Sequence, residues 1–127
     1  MNGRSDPQCV KTILLVDDDL NFRRVLKYKL KGLGLAVEEV EDWRTAVACC
    51  EQHIYDLVIA DINVPVMRGL ASLKVIKGVR PEVPVLIISA FSSPENRMQA
   101  LNFGASDFLE KPCEESQLRE KIDRLLA

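Results

Sequence analysis

The sequence lacks the features of several common protein classes. No apolar run approaches the roughly 18 residues that a membrane-spanning helix needs, and residues 1–7 are too polar for the core of a signal peptide. There is no basic surplus, because 17 lysines and arginines face 19 aspartates and glutamates, for a net charge of -2. A dedicated nucleic-acid binder would carry such a surplus. We therefore expect a globular cytoplasmic protein that contacts neither membranes nor nucleic acid directly.

Cysteine and histidine are too sparse and too poorly spaced for a zinc site. The four cysteines include no C-x-x-C pair, and His53 is the only histidine. Internal repeats and low-complexity segments are missing too, and 127 residues fit the usual size of one domain. We expect residues 10–127 to form that domain, behind a flexible N-terminal tail at residues 1–9.

What the sequence does contain is a regular alternation of two kinds of segment. Short apolar segments rich in branched residues alternate with longer segments of helical period, which is typical of a parallel sheet wrapped by helices. The strands are predicted at 12–16, 36–40, 57–60, 85–88 and 108–109, and the helices at 20–33, 43–51, 70–79, 94–103 and 114–126. The pattern therefore predicts an α/β fold whose sheet is covered on both faces.

Polar residues follow four of the five predicted strands. Asp17 begins a run of three aspartates after the first strand, Asp61 follows the third, Ser89 the fourth, and Lys111 comes just after the fifth. Each residue alone could simply begin a turn or cap a helix. In a parallel sheet, however, these strand ends share one edge, which is where open α/β sheets bind ligands.

The run of three aspartates points to a cation. Asp18 or Asp19 could cap the first helix, but Asp17 directly behind a buried strand would crowd like charges. A bound cation relieves that repulsion. Carboxylates with a backbone carbonyl and waters suit Mg²⁺, which keeps several waters and accepts phosphate oxygens as further ligands.

Taken together, these segments resemble the receiver domains of two-component response regulators over nearly the whole chain. The resemblance rests on four segments in the family's order: Leu14-Leu15-Val16-Asp17-Asp18; Asp61-Ile62-Asn63-Val64-Pro65 with Gly69; Ser89-Ala90; and Lys111-Pro112. It implies a flavodoxin-like (βα)5 three-layer sandwich with a five-stranded parallel sheet of order 2-1-3-4-5.

The resemblance also implies a role for each site residue. Asp61 would be the phosphorylated residue, and Asp18 and Asp61 would bind Mg²⁺ together with the backbone carbonyl of Asn63. Asp17 would help through a water molecule. Ser89 and Lys111 would contact the phosphoryl oxygens. Apart from the resemblance, Ser89 and Phe108 end and begin neighbouring strands, and this position predicts that they form a conformational switch on phosphorylation.

Three residues depart from the family pattern. Val64 stands where methionine is common, Arg68 where an acidic or amide residue often precedes the glycine, and Phe108 where many relatives have tyrosine. Val64 and Arg68 remove no catalytic atom. Arg68 adds a positive charge to the loop beside the site, so the family does not predict this chain's Mg²⁺ affinity or phosphoryl lifetime.

Partners are likewise implied by the resemblance. The phosphoryl donor would be a phosphohistidine on a sensor histidine kinase or a histidine phosphotransfer protein. Phosphorylation would control an output domain or an effector protein, or would produce a homodimer. The chain would be either a stand-alone receiver or the front of a larger regulator. Such a domain is not an enzyme beyond catalysing its own phosphorylation and dephosphorylation.

Two functions from other classes remain open on the residues alone. A magnesium phosphohydrolase with an aspartate nucleophile would favour a second acid where Asn63 stands, and a cap domain that 127 residues scarcely allow. A flavodoxin-like cofactor-binding module would need a phosphate-binding loop after the first strand. The three aspartates at that position would repel phosphate.

Overall fold

The structure, a computed structural model, describes residues 10–61, 66–90 and 93–127, with the side chains of 66–68 left out. The N-terminal tail predicted at residues 1–9 lies outside the described residues, and so do Asn63 and Val64. The side chain of Arg68 is also not described. None of the described helices is both long and apolar enough to cross a lipid bilayer.

Strands and helices alternate along the chain, as the sequence pattern predicts. The strands are β1 (Thr12–Val16), β2 (Ala36–Val40), β3 (Leu57–Ala60), β4 (Val85–Ser89) and β5 (Asp107–Glu110). The helices are α1 (Leu20–Gly32), α2 (Trp43–Gln52), α3 (Val66–Val79), α4 (Pro94–Asn102) and α5 (Glu115–Leu126). The strands form one parallel sheet in the order β2-β1-β3-β4-β5. The predicted flavodoxin-like fold is confirmed.

The two faces of the sheet bury separate hydrophobic clusters. Alternate residues of a strand point to opposite faces, so Leu14 joins the cluster with α2, α3 and α4, whereas Ile13 joins the cluster with α1 and α5. Strands covered on both faces are apolar throughout, and all four residues of β3 are buried. The polar groups at the strand ends therefore lie at the edge of a dry core.

Side-chain caps begin helices α1, α2 and α4. Asp19 accepts hydrogen bonds from the backbone of Asn21 and Phe22 at the start of α1, and Asp42 caps α2 through the backbone N–H of Thr45. Ser93 caps α4. Each cap satisfies backbone N–H groups that lack partners within the helix. Asp19 is thus occupied as a cap, which leaves Asp17 and Asp18 available to the site.

The largest difference from the predicted boundaries is at α3. The prediction begins this helix at residue 70, whereas the helix begins at Val66 and contains Gly69 as a buried residue. A glycine inside a helix costs only about 1 kcal/mol relative to alanine, and packing can outweigh that cost. β5 is longer than predicted at both ends, since Asp107 and Glu110 pair with Leu86 and Ser89 of β4.

Candidate functional site

Three aspartates meet where β1 and β3 end. Val16 and Ala60 are partners in the parallel register, so the residues after them, Asp17 and Asp61, leave the sheet side by side. The backbone N–H of Asp61 donates to the carbonyl of Val16 at 3.0 Å. Asp17, Asp18 and Asp61 each offer a carboxylate oxygen within 4.8 Å of the others. This is close enough for one cation to contact all three.

Lys111 brings a positive charge to these carboxylates from the end of β5. Its backbone N–H donates to the carbonyl of Ser89 at 2.9 Å, which ties the residue to the end of β4. Its Nζ donates to Asp17 Oδ2 at 2.9 Å and to Asp61 Oδ2 at 3.1 Å. Burial alone would lower the pKa of Lys111, but the hydrogen bonds and charges of Asp17 and Asp61 outweigh burial and raise it. Lys111 is therefore a cation at neutral pH.

Asp61 is buried with one of its two carboxylate oxygens unpartnered among the described residues. Its residue is 8% exposed, and its Oδ1 is a buried atom without a hydrogen-bond partner among the described residues. Burial raises the pKa of the Asp61 carboxyl, Lys111 opposes that rise, and Asp17 and Asp18 add to it. One ammonium group thus leaves Asp61 short of positive charge.

The two neighbouring acids are arranged differently. Asp17 is 3% exposed, and its Oδ1 accepts the backbone N–H of Asp19 at 2.9 Å while its Oδ2 accepts Lys111. Asp18 is exposed. A buried, unpartnered oxygen beside an exposed carboxylate and a shared lysine fits a hard divalent cation, because such ions bind carboxylate oxygens and keep several waters. The residues present therefore fit Mg²⁺.

The structure brings together some predicted site residues and leaves others apart. Asp17, Asp18, Asp61 and Lys111 form one cluster. Ser89 is 1% exposed at the end of β4 and is linked to Lys111 through the backbone. Phe108 is 8% exposed on β5, where the Arg97 guanidinium lies 5.5 Å from its ring centroid. The backbone carbonyl of Asn63 lies outside the described residues.

Two residues of α1 contact the cluster although the sequence pattern does not mark them as site residues. The ring centroid of Phe22 lies 3.9 Å from Lys111 Nζ. Arg23 donates from Nη1 to the backbone carbonyl of Asp17 at 2.7 Å. The pattern places Phe22 in the apolar stripe of α1 and Arg23 among the charges around that helix. Neither spacing nor motif indicates the contacts, because they depend on where α1 lies against the sheet edge.

The chain belongs to the response regulator receiver domain family. The family model described as "Response regulator receiver domain" matches residues 13–123, and the fold and the acidic cluster at the sheet edge agree with that class. Neither the phosphohydrolase nor the cofactor-binding module finds support in this match.

Particular relatives are regulatory proteins and isolated receiver domains. The chain is 39% identical over 115 residues to the transcriptional regulatory protein ZraR of Salmonella typhimurium and 30% identical over 112 residues to the regulatory protein LuxO of Vibrio vulnificus. These matches cover 91% and 88% of this chain but 26% and 25% of the relatives. The chain thus spans about a quarter of the length of these curated relatives.

Solved structures give the same class. A CheY-like receiver domain protein from Methanospirillum hungatei superposes with a TM-score of 0.86 at 32% identity, over 92% of this chain and 94% of that one. The receiver domain of the sensor histidine kinase PA1611 from Pseudomonas aeruginosa has a TM-score of 0.83 at 28% identity, over 92% and 98%. That structure contains a magnesium ion coordinated in the active-site cleft.

Proposed function

We propose that this receiver domain accepts a phosphoryl group on Asp61 in a magnesium-dependent reaction and changes conformation in response. The observation that carries the proposal is the state of Asp61. Its Oδ1 is buried without a partner among the described residues, its Oδ2 accepts Lys111, and two further carboxylates lie within 4.8 Å. A carboxylate held in this way is ready to bind a cation and to attack an electrophile.

Asp18 and Asp61 are the direct metal ligands in this proposal, and Asp17 acts through a water molecule. The backbone carbonyl of Asn63, carried over from the family, completes the set. Three carboxylates and one ammonium carry a net charge of two negatives, which a divalent cation neutralises. When bound, Mg²⁺ would also stabilise the charge of the transferring phosphoryl group.

For the transfer itself, the protein mainly has to position the reacting groups and stabilise the charge of the phosphoryl group. A carboxylate oxygen of Asp61 attacks the phosphorus of a phosphohistidine, and the new O–P bond forms as the P–N bond breaks. The imidazole nitrogen keeps that bond's electron pair and takes up a proton. Lys111 stabilises the phosphoryl oxygens, as does Ser89 at the end of β4. Attack by water later releases phosphate and regenerates the carboxylate.

Receiver domains pair with histidine kinases, and a sensor histidine kinase or a histidine phosphotransfer protein is the proposed donor here. The name of one relative, a transcriptional regulatory protein, supports control of an output domain or effector protein. We further propose a cytoplasmic location and a phosphorylation-dependent homodimer as one form of the response. The domain would catalyse only its own phosphorylation and dephosphorylation.

Mass spectrometry after incubation with acetyl phosphate and Mg²⁺ tests the assignment of Asp61. We expect the wild type to approach one phosphate per chain, Asp61→Asn to lose labelling at that position, and excess chelator to prevent it. Asp123→Asn is the matched control, because Asp123 is an exposed residue of α5. Full labelling in chelator or in Asp61→Asn would refute the assignment, and release of many phosphates per chain would indicate a hydrolase.

A further inference from the structure

The contact between Phe22 and Lys111 connects the first turn of α1 with the end of β5. Lys111 Nζ lies 3.9 Å from the Phe22 ring centroid, which is well within the distance of a cation–π interaction. The Lys111 side chain is 17% exposed, and Phe22 is half-buried against the core cluster that contains Leu26 and Leu118. Such an interaction strengthens when the ammonium is partly desolvated.

Among the described residues, Asp17, Asp61 and the Phe22 ring contact the Lys111 ammonium, and of these three only the ring takes no part in the proposed cation site. Two of its N–H groups are directed to Asp17 and Asp61, and both carboxylates belong to the proposed cation site. A divalent cation there attracts the same oxygens and repels the ammonium, so these two ion pairs weaken when the site is loaded. The ring of Phe22 carries no net charge and coordinates no Mg²⁺. Its attraction for Lys111 therefore persists in the loaded site.

We infer that Phe22 is a positioning residue that keeps the Lys111 ammonium beside Asp61 when a cation occupies the carboxylates. This inference rests on the proposed function, because it concerns the metal-loaded site in which phosphoryl transfer occurs. Without the ring, the flexible lysine stem would carry the ammonium toward solvent as the cation binds. The Lys111 ammonium would then have to return from solvent to the site before it could stabilise the phosphoryl oxygens.

Phe22→Leu tests the role, because leucine keeps an apolar side chain but has no π face. We expect the rate constant of Asp61 labelling by acetyl phosphate at saturating Mg²⁺ to fall about fivefold, a size typical of losing one partly buried cation–π contact. The Kd for Mg²⁺ should stay the same or decrease, since the ammonium competes less with the cation. Phe22→Tyr retains a π face and should label within about twofold of wild type.

The matched control is Tyr28→Leu, an aromatic-to-leucine change on the same helix at a residue that is 82% exposed. It should leave both the labelling rate and the Kd for Mg²⁺ at wild-type values. A purely structural role of Phe22 would distort the site and raise the Kd while labelling slows. That combination, or a wild-type labelling rate in Phe22→Leu, would overturn the inference.

A nuclear magnetic resonance measurement separates this inference from the proposed function. A ring current shifts protons near the ring face upfield, and the Cε protons of Lys111 are next to the Nζ that lies 3.9 Å from the Phe22 centroid. In the wild type, the upfield shift should persist when Mg²⁺ replaces chelator, and Phe22→Leu should abolish it. Loss of the shift on adding Mg²⁺ to wild type would refute the inference even if Asp61 is labelled normally. Failure of wild-type labelling with the shift intact would instead refute the proposed function.

Discussion

Glu39 on β2 pairs with two basic residues of α1, one of which also contacts the backbone of the site. It accepts Arg23 Nε at 3.0 Å and Lys27 Nζ at 2.9 Å. Arg23, whose side chain is 12% exposed, also donates from Nη1 to the carbonyl of Asp17. Hydrogen bonds from Lys27 and Arg23 hold the pKa of Glu39 below its ordinary value of 4.5. Glu39 is therefore ionised at neutral pH and keeps Arg23 on the backbone beside the acidic cluster.

Glu39→Gln should lower the free energy of unfolding at pH 7 by on the order of 1 kcal/mol, since a neutral amide makes weaker bonds to Arg23 and Lys27. The pKa of Glu39 is lowered in the folded state, so its contribution is fully present above pH 4.5 and is lost as pH falls through the folded-state pKa. The difference between variant and wild type should therefore shrink below pH 4.5. Urea denaturation of both proteins at a series of pH values measures this difference in unfolding free energy.

Glu51→Gln is the control for this pH dependence. Glu51 is exposed near the end of α2, and its side chain makes no ion pair within the described part of the chain. Its stability difference from wild type should stay near zero at every pH. If the difference in unfolding free energy between Glu39→Gln and wild type stays constant as the pH falls below 4.5, the ionisation of Glu39 does not contribute to stability as proposed.

At the scale of the elements, the end of α4 depends on a glycine. Gly104 has a φ of +114°, a region that L side chains rarely adopt. A Cβ built at Gly104 would lie 2.8 Å from Cγ of Lys77 on α3. Lys77 cannot move away cheaply, because its Nζ donates to the carbonyls of Pro81 and Val83 at 2.8 and 2.6 Å. The backbone of this turn therefore passes directly over α3.

Gly104→Ala should destabilise the fold by about 1–3 kcal/mol, because it combines an unfavourable backbone conformation with this steric overlap. Gly78→Ala on α3 is the matched comparison, since a Cβ there meets no atom within 4 Å. It should be neutral or stabilising by up to about 1 kcal/mol, as expected for a helical glycine. Thermal and urea unfolding measure both. Equal effects of the two substitutions would contradict the explanation.

The switch predicted for Ser89 and Phe108 would involve α4 and β5. Ser89 ends β4 and pairs with Glu110 of β5, and Phe108 lies two residues before that pair. Arg97 of α4 covers the Phe108 ring at 5.5 Å and approaches Glu110 at 3.7 Å. Phe108 already faces inward in the structure, as a permanent core residue also would. Movement of its ring on phosphorylation stays a prediction.

Beryllofluoride, a phosphoryl mimic, tests that movement in the magnesium form. Packed cores respond to a local change by shifting between discrete arrangements. We expect the resonances of the Phe108 ring and of α4 to change together with those of Asp61 and Ser89, while the buried Leu30 methyl groups of α1 keep their shifts. If Asp61 and Ser89 respond and Phe108 does not, the switch lies in another part of the domain.

Most of the element pattern could be predicted because it is local. Apolar periodicity and turn residues locate all five strands and all five helices of the described chain, and Asp19, one of the two aspartates that could cap the first helix, does cap it. The predicted start of α3 at residue 70 is wrong, because the helix begins at Val66 and includes Gly69. Its burial inside the helix depends on packing against the rest of the domain, and no window of neighbouring residues contains that information.

At the scale of the whole molecule, the site is assembled from distant parts of the chain. The parallel topology alone brings Asp17, Asp61 and Lys111 to one edge, and this convergence could be predicted from the strand ends. The contacts of Phe22 and Arg23 could not, because they depend on the side-chain directions of α1 against the sheet. Lys111 is 94 residues from Asp17 and 50 from Asp61. The cluster therefore exists only in the folded chain.

A site that exists only in the folded chain links cation binding to global stability. A ligand that binds only the folded state adds RT ln(1 + [L]/Kd), about 2.7 kcal/mol at a hundredfold excess over Kd. For a domain of this size we expect Mg²⁺ to raise the melting temperature by on the order of 10 °C. Thermal unfolding in chelator and in excess Mg²⁺ measures the difference.

Asp18→Ala should distinguish stabilisation by bound Mg²⁺ from destabilisation by repulsion among the three carboxylates. Asp18 is exposed and contributes a carboxylate to the cluster around Asp61. Its removal should abolish most of the Mg²⁺ response, yet leave the protein equally or more stable in chelator, because two like charges then face each other instead of three. Asp123→Ala, on the exposed face of α5, should keep the wild-type response. A wild-type melting temperature that is indifferent to Mg²⁺ would contradict the proposed site.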